Sequence, residues 1–212
     1  MKIKKLGHCC LVVETKGVRI MTDPGVYSTM QDEEKNIDII VITHEHADHF
    51  HVESLKRVLV NNPSATIVTN SAVALLLDKE GIAYHVIEDG AGIVLRNIHI
   101  EGFGNVHAEI YASWNRVQNT GYFLDDRLFY PGDAFINPRK PVDILALPVA
   151  GPWMKISEAI DYAVLLAPKK VFPVHDAILK TPGLSHTLCQ NVLPKLDIPF
   201  IPMVEGDQHD FS

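Results

Sequence analysis

Within the stretch Thr43-His44-Glu45-His46-Ala47-Asp48-His49 the chain places three imidazoles and, between the last two, the carboxylate of Asp48, each able to donate a lone pair to a metal ion. Imidazole nitrogen and carboxylate oxygen suit zinc, and also manganese and iron. A surface turn gains nothing from this density of histidine, and a core could not bury the rings without partners for their polar edges. The cluster therefore predicts a metal site. Side chains at i and i+2 share one side of an extended backbone, so the spacing predicts that His44 and His46 converge on one ion. His49 breaks that parity, so the chain must turn, and Asp48 and His49 can then face a second ion.

A zinc-type site takes three or four protein ligands per ion, so further donors must come from elsewhere. Three candidates stand at the ends of apolar runs: His107 after the turn Gly102-Phe103-Gly104-Asn105, Asp133 in Tyr130-Pro131-Gly132-Asp133, and His175 after Val174. Loops at the ends of strands carry chemistry on a rigid scaffold, which is where all three fall.

The elements that must position these residues can be read around them. Residues 9–14 and 18–22 read as strands joined by a hairpin turn at Lys16-Gly17. Residues 38–43 form a continuous apolar run, as expected of a strand buried on both faces, and the histidine cluster begins where it ends. Helices are expected over 51–60, stopped by Asn61-Asn62-Pro63, over 71–79, over 156–166 and over 184–196. Further strands are expected over 66–69, 127–130, 143–147 and 170–174. The middle, 84–130, reads as β-rich, with turns at Asp89-Gly90, 102–105 and Asp125-Asp126. Meanders interspersed with strand–helix units suggest two sheets with helices outside, as one domain.

At 212 residues, with 47% hydrophobic and 21% charged residues, the chain can build a sizeable core. A net charge of −7 argues against a nucleic-acid-binding surface as its main business. Cys9, Cys10 and Cys189 form no disulfide framework and read as buried thiols of a reducing compartment. The basic start fails as a signal peptide, and no run reaches the length of a membrane span. The expectation is a cytoplasmic location, with no nucleic-acid or membrane partner. Nothing in the pattern specifies an oligomeric state.

The ordered donors resemble the metallo-β-lactamase superfamily, whose signature His-x-His-x-Asp-His is followed by distant His, Asp and His. Here these are His44, His46, Asp48 and His49, then His107, Asp133 and His175. The likeness runs from Thr22-Asp23-Pro24 to Pro173-Val174-His175-Asp176. Leu6-Gly7-His8 is similar to the branch of ascorbate-6-phosphate lactonase-like and uncharacterised hydrolases. The resemblance implies an α/β (α+β) fold, a four-layer αβ/βα sandwich, as one domain over 1–212. It implies two divalent ions, Zn2+ first with Mn2+ or Fe2+ as alternatives. His44, His46 and His107 would bind the first ion; Asp48, His49 and His175 would bind the second; Asp133 would bridge. A metal-bridging hydroxide would attack an ester, lactone or phosphodiester of a small anionic substrate, as two ions and two carboxylates leave the site positive.

Three further residues are placed at the site: Asp48 as a proton shuttle, Asp23 as a carboxylate orienting the ligand loop, and His8 at the pocket. Two other classes compete: an oxidoreductase such as a mononuclear iron dioxygenase, and a non-catalytic metal-binding module. His46 stands where flavodiiron proteins carry a carboxylate, and the filled Asp48, His49 and His175 set argues against a single iron. His51 reads as a helix N-terminal residue; His85, His99, His186 and His209 read as surface or structural. Trp153, in 150–154, reads equally as a loop anchor and as a wall of the substrate mouth.

Overall fold

The structure is a computed structural model, and it describes residues 1–112, 114, 116–181 and 183–212. Its first sheet contains β1 (Lys2–Gly7), β2 (Cys10–Thr15), β3 (Val18–Thr22), β4 (Ile39–Val41), β5 (Thr66–Thr69), β6 (His85–Val86) and β13 (Gln208–Asp210), in the spatial order β13-β1-β2-β3-β4-β5-β6. The second contains β7 (Gly92–Leu95), β8 (Ile98–Phe103), β9 (Gly121–Leu124), β10 (Leu128–Tyr130), β11 (Ile144–Pro148) and β12 (Lys170–Val174), in the order β12-β11-β10-β9-β8-β7. Helices α1 (Val52–Asn61) and α2 (Ser71–Lys79) follow strands of the first sheet; α3 (Ile156–Leu166) and α4 (Gly183–Val192) follow strands of the second.

Alternation of side chains along each strand builds the layers. Ile39 and Val41 of β4 point inward, with Leu11, Val13 and Ile20, to meet Ile100, Tyr122, Leu124, Tyr130, Ile144 and Phe172 of the opposing sheet. Ile40 points outward to Leu55 and Val58 of α1 and Val73 and Leu77 of α2. On the far side Leu145, Leu147 and Val171 pack against Ala159, Tyr162 and Ala163 of α3 and Cys189 of α4. These three apolar layers separate four structural ones, the expected αβ/βα sandwich. The continuous apolar runs at β4, β11 and β12 are therefore strands buried on both faces, in parallel pairs such as β3–β4, β4–β5 and β11–β12.

Four details differ from expectation. Strand β1 and its partner β13 carry no legible pattern, and β13 is exposed throughout. Gly102 lies inside β8 rather than in a turn, because a Cβ there would stand 2.7 Å from the Glu88 carbonyl oxygen. The last helix ends at Val192 and tightens into a 3-10 turn over Leu193–Leu196, since Pro194 cannot continue the hydrogen-bond ladder. Arg96-Asn97, with φ of 49° and 66°, forms a left-handed two-residue hairpin turn that the sequence does not advertise. Among the described residues no helix is long and apolar enough to cross a membrane.

Candidate metal centre

Every expected site residue lies at one end of the sandwich, past the C-terminal end of a strand. Asp23 follows β3, His44 to His49 follow β4, His107 follows β8, Asp133 follows β10, His175 follows β12, and His8 follows β1. His8, Asp23 and His175 adopt left-handed backbone with φ of 46°, 35° and 61°. Such conformations cost free energy in non-glycine residues and cluster where function over-determines the backbone.

Strand parity does not explain the convergence of His44 and His46. Strand β4 ends at Val41, and the ligand stretch is a loop. A single helix-like turn, in which His49 N and Phe50 N both donate to the His46 carbonyl at 2.9 and 2.8 Å, returns Asp48 and His49 toward the first histidines. The segment after β3 clamps this loop: Val26 N donates to the Ala47 carbonyl at 2.9 Å. The approach at Gly25 is so close that a Cβ would lie 1.9 Å from the Asp48 carbonyl oxygen.

Asp23 is fully buried and organises the ligand rings. Its Oδ1 accepts from Thr43 N at 2.8 Å, and its Oδ2 from Thr43 Oγ1, His49 Nδ1 and Tyr130 OH, each at 2.7 Å. With its proton on Asp23, Thr43 Oγ1 is free to accept from His44 Nδ1 at 3.0 Å. His107 Nδ1 donates to the Ala108 carbonyl at 2.5 Å. For His44, His49 and His107 the outer nitrogen is thus committed as a donor, so the inner Nε2 is the one with a free lone pair.

These inner atoms have no other occupation. Among the described residues His44 Nε2, His49 Nε2, His107 Nε2, both nitrogens of His175 and Asp133 Oδ1 are buried without a hydrogen-bond partner. Buried polar atoms are nearly always satisfied, so six such atoms in one place require a ligand. They sort into two groups about Asp133. Ligand atoms of His44, His46 and His107 all lie within 4.8 Å of one another. On the other side Asp48 Oδ2 stands 3.9 Å from His49 Nε2 and 3.6 Å from His175 Nε2. Asp133 spans both: Oδ2 is 3.4 Å from His107 Nε2 and 2.9 Å from His175 Nε2, and Oδ1 is 3.1 Å from His49 Nε2 without hydrogen-bond alignment. Ligands about 2.1 Å from a tetrahedral ion stand roughly 3.4 Å apart, so these spacings fit metal coordination.

The electrostatics ask for a cation. Burial opposes ionisation of Asp133, but His49 and His175 outweigh it and hold the carboxyl well below its usual range. Burial likewise disfavours charge on His49, yet Asp133 and Asp23 keep the ring protonated far above its ordinary value. A divalent ion between them answers the same demand and displaces that proton. Burial pushes His44 well below its ordinary value, leaving it a neutral donor. His8 is lowered to about 4, chiefly by burial and against its hydrogen bond to Asp48.

His8 occupies the rim of the second group. Its Nδ1 accepts from Ala177 N at 3.3 Å, leaving Nε2–H to face Asp48 Oδ2 at 3.3 Å. Asp48 is the more open ligand, 22% exposed, and Tyr27 lies edge-on to His8 at 5.2 Å. Two features escape the sequence. Trp153 Nε1 donates to Asp133 Oδ2 at 2.8 Å. Beneath His175, Asp176 Oδ2 accepts from the buried Lys5 Nζ at 2.6 Å and pairs with His186 Nε2 at 2.8 Å, fixing the end of β12. His186 is therefore structural, as expected. His51 caps α1, its side chain accepting from Ser54 N. His99 pairs with Asp126 on the surface, and His85 and His209 are exposed.

Comparison with known proteins bears out the family resemblance. A beta-lactamase superfamily domain profile matches residues 2–175. A Mycobacterium tuberculosis protein is 36% identical over 184 residues, covering 84% of this chain and 85% of its own. A UPF0173 protein of Pyrococcus abyssi is 30% identical over 185 residues, covering 82% and 83%. Among solved structures, Igni18, a metallo hydrolase from Ignicoccus hospitalis, superposes with a TM-score of 0.78 at 24% identity over 100% of this chain and 99% of that one. The metallo-β-lactamase fold protein YhfI from Bacillus subtilis gives 0.77 at 12% identity over 99% of each. The chain belongs to the metallo-β-lactamase superfamily, and within it to the UPF0173 group of metal-dependent hydrolases.

Proposed function

We propose that the protein is a dinuclear hydrolase of a small anionic ester, lactone or phosphodiester. The observation that carries this reading is the set of five unpartnered buried imidazole nitrogens gathered about one shared carboxylate, Asp133, whose Oδ1 is itself unpartnered. His44, His46 and His107 would hold one ion, Asp48, His49 and His175 the other, with Asp133 between them; Zn2+ suits this set best, Mn2+ and Fe2+ next. The pair of ions would supply Lewis acidity, an activated water and a net positive site for an anionic substrate.

The chain's own residues do the remaining work. Asp23 and Thr43 lock the rings so that no reorganisation is needed during the reaction. Asp48, whose side chain is the most exposed of its group and whose Oδ2 lies 3.3 Å from His8 Nε2, would take the proton of the attacking water and return it to the leaving oxygen. His8 keeps that oxygen oriented. Selection of the substrate falls to the loops that edge the site, 25–35 and 150–154.

The test is metal content and turnover together. Purified protein should hold two equivalents of Zn or Mn and hydrolyse members of a panel of phosphorylated lactones, esters and phosphodiesters. Asp133→Ala should lower the metal content and abolish turnover. Full activity with two metals in that variant overturns the bridging assignment. One equivalent of iron with oxygen consumption would instead establish an oxidoreductase.

A further inference from the structure

The indole of Trp153 touches both halves of the centre. It lies edge-on to His107, with ring centroids 6.1 Å apart at 76°, and edge-on to His175, 6.0 Å apart at 84°. Its Nε1–H reaches the one carboxylate shared between the halves, Asp133 Oδ2, at 2.8 Å. The ring is only 8% exposed and packs edge-on against Phe135, 5.2 Å away, which in turn lies against Tyr162 of α3. The backbone makes room for it: a Cβ on Gly151 would stand 2.7 Å from Nε1. A loop anchor needs an apolar ring in an apolar slot. This one aims its only polar atom at the carboxylate that lies beside His49, His107 and His175 alike, and its neighbours hold it there.

We infer that Trp153 is a positioning residue for the metal centre, holding Asp133 in the orientation that serves both ions. The inference rests on the dinuclear reading. The N–H occupies one lone pair of Oδ2, and Oδ1, which has no hydrogen-bond partner, remains fully available to metal. Fixing one oxygen of a carboxylate removes its rotation about Cβ–Cγ. Partners of this kind typically change metal affinity or activity by about 10- to 100-fold.

The experiment is competition of Zn2+ between a chromophoric chelator and four proteins: wild type, Trp153→Phe, Asp133→Asn and the double variant. Trp153→Phe keeps the ring and removes the N–H. It should weaken zinc binding about tenfold or more, and should cost nothing further in the Asp133→Asn background, because its effect passes through that carboxylate. A purely structural role would give additive losses, and additive losses, or affinity within about twofold of wild type, overturn the inference. A wild type that takes up no zinc overturns the dinuclear reading and this inference with it. Should Trp153→Phe fail to fold, the wild-type protein carries a second readout. Its two tryptophans give two indole N–H signals, with Trp114→Phe assigning them. The Trp153 signal should move with zinc and saturate with metal uptake; a signal that stays still through saturation overturns the inference.

Discussion

Replacing Asp23 should separate the support of the centre from its ligands. In Asp23→Ala four donors lose their acceptor, but two can turn elsewhere. The Tyr130 hydroxyl already lies 2.9 Å from the Cys9 carbonyl, and in the metal-free protein that of Thr43 can donate to His44 Nδ1 once this ring shifts its proton to Nε2. The Thr43 amide and His49 Nδ1 have no such freedom, and each buried donor left unsatisfied costs about 1–3 kcal/mol. Asp23→Ala should therefore destabilise the metal-free protein by roughly 3–5 kcal/mol. Asp23→Asn keeps the shape. With its oxygen in the Oδ2 place it serves three donors, and its amide then opposes Thr43 N, at a cost of about 2–3 kcal/mol. Both should weaken the His49 ion about 10- to 100-fold. Thr43→Val is the contrast: it cuts the link from Asp23 to His44 and leaves His49 held, so it should weaken the His44 ion more. Urea denaturation without metal and stepwise zinc competition measure the two effects. Asp23→Ala within about 0.5 kcal/mol of wild type, or identical stepwise losses in Asp23→Asn and Thr43→Val, would refute the reasoning.

Gly25→Ala forces a methyl group into the backbone of the ligand loop and should cost more than about 3 kcal/mol together with most of the bound metal, read by thermal melting and elemental analysis. Chelation should lower the melting temperature, since an ion that binds only the folded chain adds about 4 kcal/mol at a thousand times its Kd; an unchanged melt argues against a buried centre. All three cysteines are buried, and burial pushes the Cys189 thiol up to about 11. The thiolate is the nucleophile, so a disulfide reagent at pH 8 should react with the native protein negligibly and with three thiols after unfolding; rapid native labelling contradicts the packing.

The seven candidate donors were legible because metal ligation needs particular side chains, and a surface turn or an apolar core does not explain His44, His46, Asp48 and His49 so close together. Asp133 was legible through Pro131-Gly132, whose turn ends β10; Gly132 has φ of 65°. The parity argument for His44 and His46 assumed a strand where the structure has a loop, because the length of β4 is set by pairing with β3 and β5 rather than by its apolar run. Trp153 could not be assigned to Asp133, since a contact across 20 residues depends on how a loop returns, which no periodicity encodes. The Lys5, Asp176 and His186 cluster was hidden for the same reason: its partners are 171 and 10 residues apart. Strand β13 has no apolar alternation because it is an exposed edge.

The donors are divided between the sheets. His44, His46, Asp48 and His49 leave the first, and His107, Asp133 and His175 leave the second. Asp133 and the two ions would therefore act as a rivet through the rim of the sandwich. At the far rim the sheets are tied by hydrogen bonds and ion pairs, Thr15 and Lys16 to Asp125 and Arg96 to Asp38, which are weaker than metal ligation. Partial opening should then behave like a hinged book, with the riveted end as its spine and the far rim parting first. Because the outermost donors, His44 and His175, are separated by most of the chain, the rivet can close only after both sheets have met. The metal centre would thus report on completed assembly rather than direct it.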